Sequence, residues 1–362
     1  MFAPPPLPRN LEASFRDLAS DKAPVRAEAV RDVVSHARRN DAARARAIPA
    51  LEHALQRDTD PRVRSAAAVA LADVDGREAL PSLLVAVEDD NPHVRQMALT
   101  ALGEIGDARA APRLERALRD ARPEVRYQAV IAYARVAADD APAVVAALAR
   151  ALDDVDPAVR YIAMRVAEER PVGGESMRDP ALVAAAERRL RSEDAAVAVV
   201  AALYLARLGH AEARAVVLDV VADRRRTPEF EDEQACIEIA GRLQLRGAIP
   251  SLEQRVWGTR RAVRSLFSWG AGHGAQGAWW ARIALARMKH PRACAEILTD
   301  LGSWRRATRE AAVVAAGRAK LAEARPLLQA LGTSVDAGLL DEALAALTEP
   351  GATPFTETSE AT

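Results

Sequence analysis

The chain has 362 residues, of which 50% are hydrophobic but only 4% aromatic, and its 50 basic side chains nearly balance its 51 acidic ones. A net charge of −1 excludes a protein whose whole surface attracts nucleic acid or membranes. The hydrophobic residues are mostly small and aliphatic, and the abundant alanine is the best helix former. These properties predict an all-α protein, built as two domains or as one long modular array.

The sequence also carries indications of the compartment. Cys236 and Cys294 are too few to form a disulfide scaffold in a chain of this length. The first residues lack the basic region and apolar stretch of a secretory signal, and no run of about 18 apolar residues predicts a membrane-spanning helix. We therefore expect a cytoplasmic protein with no membrane insertion.

In chain order, the proline-rich residues 1–10 are predicted to be a disordered end. Residues 11–348 predict about nine to ten consecutive helix pairs, regular over 41–170 and irregular over 190–310. The tail 349–362, rich in Thr, Glu and Pro, is again predicted to be disordered. The pairs are placed at 11–39, 41–75, 76–105, 107–137, 141–169, 178–208, 211–245, 247–289, 291–317 and 320–348.

The second helix of a pair begins with a recurring motif, such as Asp60-Pro61-Arg62-Val63-Arg64. Its copies end at Arg64, Arg95, Arg126 and Arg160, with spacings of 31, 31 and 34 residues. Asp or Asn can cap a helix start, and proline suits the first turn, where its missing N–H costs nothing. Apolar residues then recur with a helical period, and in one copy they are Val94, Ala98, Ala101, Leu102 and Ile105.

The first helix of a pair is marked by a proline followed two residues later by a leucine. The copies are Pro49/Leu51, Pro81/Leu83, Pro112/Leu114, Pro250/Leu252 and Pro326/Leu328. A single helix pair cannot bury its apolar faces, whereas stacked pairs build a continuous core.

This alternation of helices resembles the HEAT repeat, in the short bacterial form similar to phycobilin-lyase repeats. The resemblance implies an α-α superhelix, or solenoid, with the second helices lining its concave side. It also implies binding of other macromolecules: some relatives are bilin lyases or isomerases, and others bind DNA or act like chaperones.

The four motif arginines have two interpretations. They can join adjacent repeats by hydrogen bonds, which the neighbouring aspartates favour, or form a basic ladder for phosphates or carboxylates. The residue two positions after each motif valine is predicted to face solvent, and these residues are Ser65, Gln96, Tyr127 and Tyr161. Gln96, Tyr127 and Tyr161 are candidate partner contacts, with packing against the neighbouring ridge as the alternative.

The stretch 255–310 contains all five tryptophans and sets eleven basic side chains against three acidic ones. Interleaved arginine and aromatic residues suit an acidic protein partner, or phosphate contacts with base stacking. The alternative is an enlarged repeat whose tryptophans fill the core. The candidate residues are Trp257, Arg260, Arg261, Arg264, Trp269, His273, Trp279, Trp280, Arg305 and Arg306.

A glycine-rich segment, 270–277, fits the spacing G-x-G-x-x-G but follows no predicted strand, so it predicts no dinucleotide site. We expect a surface loop before a helix starting near Ala278. A less favoured alternative is an anion site at that helix start, assisted by His273. Cys294 is expected to be a packed cysteine. The less favoured alternative is a bilin-type or redox thiol, whose pKa the helix start beside Arg292 would lower modestly.

Together these features predict a non-enzymatic scaffold or adaptor with no cofactor and no metal site. It would bind a protein partner with an acidic surface through the concave face and the basic, aromatic stretch. The alternatives are a nucleic-acid-binding solenoid and a bilin lyase or isomerase.

Overall fold

A computed structural model describes residues 10–169, 178–227, 229–258 and 272–348, with side chains in the last range from residue 276 onward. Within these ranges the regular structure is helical and contains no strand, which confirms the all-α prediction. The predicted disordered ends lie outside the described residues, apart from Asn10. Its side chain accepts the Ala13 backbone N–H at 2.8 Å and so caps the first helix.

The chain divides into two compact units, Met1–Ala185 and Ala186–Thr362. The N-terminal unit contains α1 (Leu11–Asp17), α2 (Ala23–Ala37), α3 (Asp41–Arg57), α4 (Pro61–Asp73), α5 (Leu80–Ala86), α6 (Pro92–Ile105), α7 (Ala111–Ala117), α8 (Pro123–Val136), α9 (Ala141–Ala151) and α10 (Pro157–Glu169). Helix α11 (Pro180–Arg189) spans the division between the units.

The C-terminal unit continues with α12 (Ala195–Leu208), α13 (Arg214–Val221), α14 (Phe230–Arg242), α15 (Ile249–Trp257), α16 (Gly272–Arg287), α17 (Pro291–Leu301), α18 (Arg306–Ala319), α19 (Arg325–Leu331) and α20 (Ala337–Ala346). Odd-numbered helices are the first helices of the pairs and even-numbered helices are the second. The described residues therefore form ten helix pairs, in agreement with the solenoid prediction.

The second helices begin and end as local chemistry dictates. Asp60 and Asn91 cap α4 and α6 by accepting backbone N–H groups at 2.8 and 2.9 Å, and a proline follows each cap. In the C-terminal unit, α12, α14, α16 and α18 end in a Schellman motif, whose N–H···O=C bonds are 2.9–3.3 Å long. The left-handed residues of these motifs are Gly209, Gln244, Lys289 and Lys320.

The core of each unit lies between its helix layers. The predicted apolar stripe of α6 is correct, since Val94, Ala98, Ala101 and Leu102 are completely buried. Within each unit the second helices pack side by side. Small residues allow this approach: a Cβ added to Gly103 would lie 3.0 Å from the Cα of Ala132 on the neighbouring helix.

Three of the four motif arginines, together with Arg26 before them, join successive repeats. Arg64 donates from Nη1 to the carbonyl oxygen of Asp58 at 3.1 Å, and from Nε and Nη2 to the carboxylate of Asp89 at 2.8 and 2.7 Å. The same two-pronged bond joins Arg26 to Asp58, Arg95 to Asp120 and Arg126 to Asp154. These charge-assisted bonds confirm the interpretation that the arginines connect adjacent repeats.

We call this series of arginine–aspartate pairs the aspartate ladder. Its aspartates bond both to the preceding repeat and within their own. Asp89 also accepts the backbone N–H of Asn91 at 2.9 Å and thereby holds the turn before α6. Burial by itself would raise the pKa of Asp89, but the Arg64 guanidinium and the Asn91 N–H hold that pKa below its ordinary value. The pKa values of Asp58, Asp120 and Asp154 are lowered by the same balance.

The last arginine of this series, Arg160, has no carboxylate partner within the described residues. Its Nη1 donates to the carbonyl oxygens of Asp154 and Val155 at 2.8 and 3.0 Å, as the other arginines donate to their own turns. Its Nε is buried without an acceptor in the described part of the chain. In the sequence, the turn that follows carries Ser192 where the earlier turns carry aspartate.

Candidate partner-binding surfaces

The row of residues predicted to face solvent on the second helices is only half exposed. Gln96, Tyr127 and Tyr161 are half-buried, on α6, α8 and α10. The Tyr161 hydroxyl accepts a hydrogen bond from Arg165 Nη2 at 3.1 Å, and the guanidinium lies 5.5 Å from the ring centroid. Tyr161 is therefore already held by its own helix.

The prediction is wrong for Ser65, which is only 5% exposed and donates its hydroxyl to the Arg62 carbonyl at 3.1 Å. A helical wheel measures the angle from the core but takes no account of a neighbouring helix. Because the second helices pack side by side, the flank of α4 is covered as well.

Trp257, the last residue of α15, contacts α17, the first helix of the next pair. Its Nε1 donates to Glu296 Oε1 at 2.9 Å, and the Arg292 guanidinium lies 4.3 Å from the ring centroid. The His290 ring is 5.4 Å away, and its Nε2 is 3.0 Å from Glu253 Oε1. Trp257 is half-buried, and its ring N–H is already bonded to Glu296. It therefore connects two repeats and leaves little surface for a partner.

At the start of α18 lies a second group, the Trp304 surface, which consists of Trp304, Arg305 and Arg306. Trp304 is 83% exposed, and the guanidinium of Arg305 lies 4.9 Å from its ring centroid. Arg306 donates from Nε to Glu310 at 2.8 Å and is itself exposed. This surface combines an exposed aromatic ring with two cationic side chains.

The remaining two tryptophans lie on α16. Trp279 and Trp280 meet edge to face with their centroids 5.0 Å apart, and the Arg318 guanidinium lies 4.6 Å from the Trp280 centroid. Trp280 borders a cavity of about 130 Å³ between second helices of the C-terminal unit. The charged residues at this cavity are Glu238, Arg287, Arg318 and Lys320. Trp257, the Trp304 surface and Trp280 thus belong to three separate places.

Burial changes the electrostatics near this cavity. It lowers the pKa of the Arg287 guanidinium below its ordinary value, while Glu238 acts in the opposite direction. Burial likewise lowers the pKa of Arg242; Glu238 opposes this effect, and Arg207 and Arg287 reinforce it by repulsion. Arg207 and Arg287 therefore both lie close enough to Arg242 to repel its charge.

Sequence reasoning missed the arrangement of these arginines, although the sequence contains a signal for it. Arg207, Arg242, Arg287 and Arg318 each lie two residues before the left-handed residue that ends a second helix. Aligning the repeats at their helix ends, instead of at their prolines, would have brought the four arginines into one column.

Several predicted site residues lie outside the described residues, namely Arg260, Arg261, Arg264 and Trp269, and the side chain of His273 does as well. The predicted loop at 270–277 is partly wrong, because α16 begins at Gly272. Tertiary packing overrides the low helix propensity of glycine here, since α16 packs against α14, α15 and α18.

Cys294 is the packed cysteine that the sequence predicts, and the alternative of a thiol with a lowered pKa is wrong. Burial raises the pKa of its thiol, and nearby Glu323 adds to this effect. The thiol lies 3.6 Å from the carbonyl oxygen of Ala286, which is the environment of a packed cysteine. Desolvation outweighs the helix start and Arg292 at this position.

One cluster of metal-ligand residue types occurs in the described residues, at Glu187, His210 and Glu212. His210 Nδ1 is 3.4 Å from Glu187 and 3.9 Å from Glu212, and all three side chains are substantially exposed. These contacts are those of a surface ion-pair group. No helix in the described ranges is long and apolar enough to cross a membrane.

Comparison with known families decides the identity of the repeats. The model of HEAT repeats matches residues 14–90, 48–134 and 81–168. Residues 14–168 therefore consist of HEAT repeats. This confirms the resemblance inferred from the motif, and the helix pairs continue beyond the matched HEAT region. No curated protein matches the chain.

Three solved structures share part of the arrangement. The complex of CpcE and CpcF of phycocyanin lyase from Nostoc sp. PCC7120 is 20% identical and has a TM-score of 0.42, covering 70% of this chain and 96% of that one. An engineered protein is 21% identical, with a TM-score of 0.44 and coverages of 94% and 98%. A designed armadillo repeat protein is 20% identical, with a TM-score of 0.40 and coverages of 54% and 98%. Similarity at this level carries no argument about function.

Proposed function

We propose that this HEAT-repeat protein is a non-enzymatic scaffold that binds a protein partner with an acidic surface. Stacked helix pairs provide an extended surface that is formed before binding, so that little ordering cost is paid on association. The observation that carries the proposal is the Trp304 surface, where a tryptophan 83% exposed is accompanied by Arg305 and Arg306.

The composition of this surface supports a protein contact. Tryptophan and arginine are enriched among the residues that contribute most to protein–protein binding. Arg305 already lies over the Trp304 ring, at 4.9 Å from the centroid, and so holds the ring in place before a partner arrives. The cationic rim favours acidic partners and speeds their association.

The test is affinity capture from an extract of the native organism, with and without nuclease treatment, using the wild-type protein and the double variant Trp304→Ala/Arg305→Glu. We expect the variant to lose a specific captured protein while its Tm stays unchanged, because both side chains are exposed. Val155→Ala is the matched control, since Val155 is also an exposed apolar residue, at 89%.

Two results would contradict the proposal. The first is an identical set of captured proteins for the wild type and the double variant. The second is capture that disappears on nuclease treatment, which would support the nucleic-acid alternative.

A further inference from the structure

Four arginines occupy equivalent positions on adjacent second helices of the C-terminal unit. This arginine row consists of Arg207, Arg242, Arg287 and Arg318, on α12, α14, α16 and α18. Each lies two residues before a left-handed residue, and the Schellman motif fixes the geometry of every helix end. The row therefore follows the order of the stacked repeats.

Close helix packing brings the row together. A Cβ added to Gly241 on α14 would lie 2.8 Å from the Cα of Ala284 on α16, which places two arginine-bearing helices in close contact. At the end of the row, Gly317 on α18 approaches α20 in the same way, 2.9 Å from the Cα of Ala343. Gly241 directly precedes Arg242, and Gly317 directly precedes Arg318. Neighbouring helix ends also bond directly, because Arg287 Nη1 donates to the Arg318 carbonyl at 3.2 Å.

The two central arginines of the row form no ion pair that would cancel their charge within the described residues. In the described part of the chain, Arg242 and Arg287 have no carboxylate within salt-bridge distance, although Glu238 is near enough to attract both. Burial lowers the pKa of both guanidiniums, as expected for cations that have lost water without gaining a carboxylate partner. Such groups gain most from an anionic ligand.

A basic residue at a helix C-terminus also stabilises the helix dipole, which offers a purely structural explanation. The N-terminal unit shows that the repeat does not require a basic residue at this position. Asp73 and Glu104 lie two residues before the left-handed Asp75 and Gly106, and these acidic residues occupy the same position at the ends of α4 and α6. The run of four arginines is thus particular to the C-terminal unit.

We propose that the arginine row and the adjoining cavity bind an extended acidic segment of a protein partner, with carboxylates three residues apart. The inference rests on the proposed function, in that the ligand belongs to a protein. It adds a second surface, distinct from the Trp304 surface, and names the chemistry recognised there.

The spacing follows from two standard dimensions. Packed helices lie about 8–10 Å apart. A polyproline II segment has three residues per turn and rises about 3.1 Å per residue, so every third side chain lies on one face at intervals of about 9 Å. Carboxylates at such intervals would meet successive arginines with the bidentate geometry that guanidinium favours.

The cavity favours a peptide over a nucleic acid. Trp280, held by Arg318, provides an apolar wall for a side chain of the segment. Glu238, at the same cavity, repels phosphates and carboxylates alike, but it can accept a backbone N–H of a peptide between two spaced carboxylates, a donor that a phosphate backbone lacks. A continuous phosphate backbone would therefore be less suited to this surface than a peptide with spaced carboxylates.

The experiment is a fluorescence anisotropy titration of the purified full chain with a labelled peptide of four Glu-Ala-Pro repeats. Control peptides replace every Glu by Gln, or place the same four glutamates side by side. We expect the spaced peptide to bind more tightly than both controls, and Arg242→Gln/Arg287→Gln to weaken it by about tenfold or more. Arg135→Gln, at the end of α8, is the matched control and should bind like the wild type.

The double variant is expected to lose only a little of its Tm, because it breaks the Arg287–Arg318 hydrogen bond and removes two helix-end charges but no ion pair in the described residues. The titration is therefore made well below the Tm of both proteins. The proposal is overturned if the spaced peptide binds no better than the Gln peptide, or if the double variant binds like the wild type. Equal binding of the side-by-side glutamates would overturn the spacing, and equally tight binding of a thymidine oligonucleotide would overturn the peptide assignment. Because this titration needs no natural partner, its failure can be told apart from a failed capture at the Trp304 surface.

Discussion

Apart from the first repeat, where the Ser20 hydroxyl accepts the Lys22 N–H before α2, the turns that precede the second helices differ between the two units by a single residue type. Two positions before the helix cap, the N-terminal unit carries aspartate, at Asp58, Asp89, Asp120 and Asp154. At the same position the C-terminal unit carries hydroxyl residues, at Ser192, Thr227, Ser303 and Ser334. At the first three of these positions the hydroxyl accepts the N–H of the capping residue, at 3.1–3.3 Å, as the aspartates do.

What the hydroxyl does not supply is a charge. An aspartate in the turn forms an ion pair with an arginine of the preceding repeat, so the two opposite charges cancel within the N-terminal unit. A serine or threonine holds the turn but supplies no carboxylate, and in the described residues the Nε groups of Arg160 and Arg309 are buried without an acceptor. Whether an arginine at the ladder position is paired with a carboxylate is therefore decided by the turn of the next repeat.

Acidification should change the stability of one unit relative to the other more than any single substitution does. The lowered pKa values of Asp58, Asp89, Asp120 and Asp154 mean that their stabilisation is present above the unfolded pKa of about 3.9. It is lost as the pH falls below that value and through the folded pKa. We expect the N-terminal unit to unfold first on acidification.

The chain contains a natural reporter for this test. All five tryptophans lie between residues 257 and 304, so tryptophan emission reports on the C-terminal unit alone. Helical circular dichroism should begin to fall at a higher pH than the pH at which tryptophan emission changes. Emission that changes first, or at the same pH, would show that the aspartate ladder does not govern acid stability.

Removing one ladder arginine is the next largest effect. Arg95→Ala leaves the Asp120 carboxylate, only 15% exposed, without its guanidinium, and removes the donor to the Asp89 carbonyl. We expect a loss of about 2–4 kcal/mol in the free energy of unfolding, measured by urea denaturation with circular dichroism.

The control for this substitution is Arg116→Ala. Arg116 forms an exposed ion pair with Glu88 at 2.9 Å in the same unit. An exposed pair of this kind contributes about 0–1 kcal/mol. If the two substitutions had equal effects, the ladder would be no more than a set of surface ion pairs.

The same contrast explains how much could be predicted from the sequence. The ten helix pairs and the role of Arg64 follow from local chemistry, because capping residues, prolines and apolar periods lie close together in the chain. Arg242 and Arg287 escaped prediction because their significance depends on where α14 and α16 end. Those ends are set by left-handed Gln244 and Lys289, residue types that do not mark a helix end as glycine does.

The tryptophans show a second limit of prediction. Composition singled out 255–310 as unusual, but it could not separate Trp257, bonded to Glu296, from the exposed Trp304. That difference depends on Glu296, which lies 39 residues away from Trp257 and on another helix pair. Pairings of this length are fixed by tertiary packing, not by any pattern in the local sequence.

The smallest effect should come from rebuilding one step of the ladder in the C-terminal unit. Arg309 donates from Nη1 to the Ser303 carbonyl at 2.8 Å and from Nη2 to the Ser334 carbonyl at 2.7 Å, in the manner of the ladder arginines. Its Nε is buried without an acceptor in the described residues. Ser334→Asp would supply the missing carboxylate and should raise the free energy of unfolding by about 1 kcal/mol.

Ser334→Asn supplies a similar shape without charge and should give a smaller gain. The gain from Ser334→Asp should disappear in combination with Arg309→Gln, which a double-mutant cycle followed by tryptophan emission would measure. Repulsion from the nearby Asp336 opposes the gain, but the N-terminal unit tolerates the same arrangement at Asp58 and Asp60. A destabilised Ser334→Asp variant would mean that aspartate alone does not convert a C-terminal turn into a ladder turn. The difference between the units would then depend on the spacing of their helices as well.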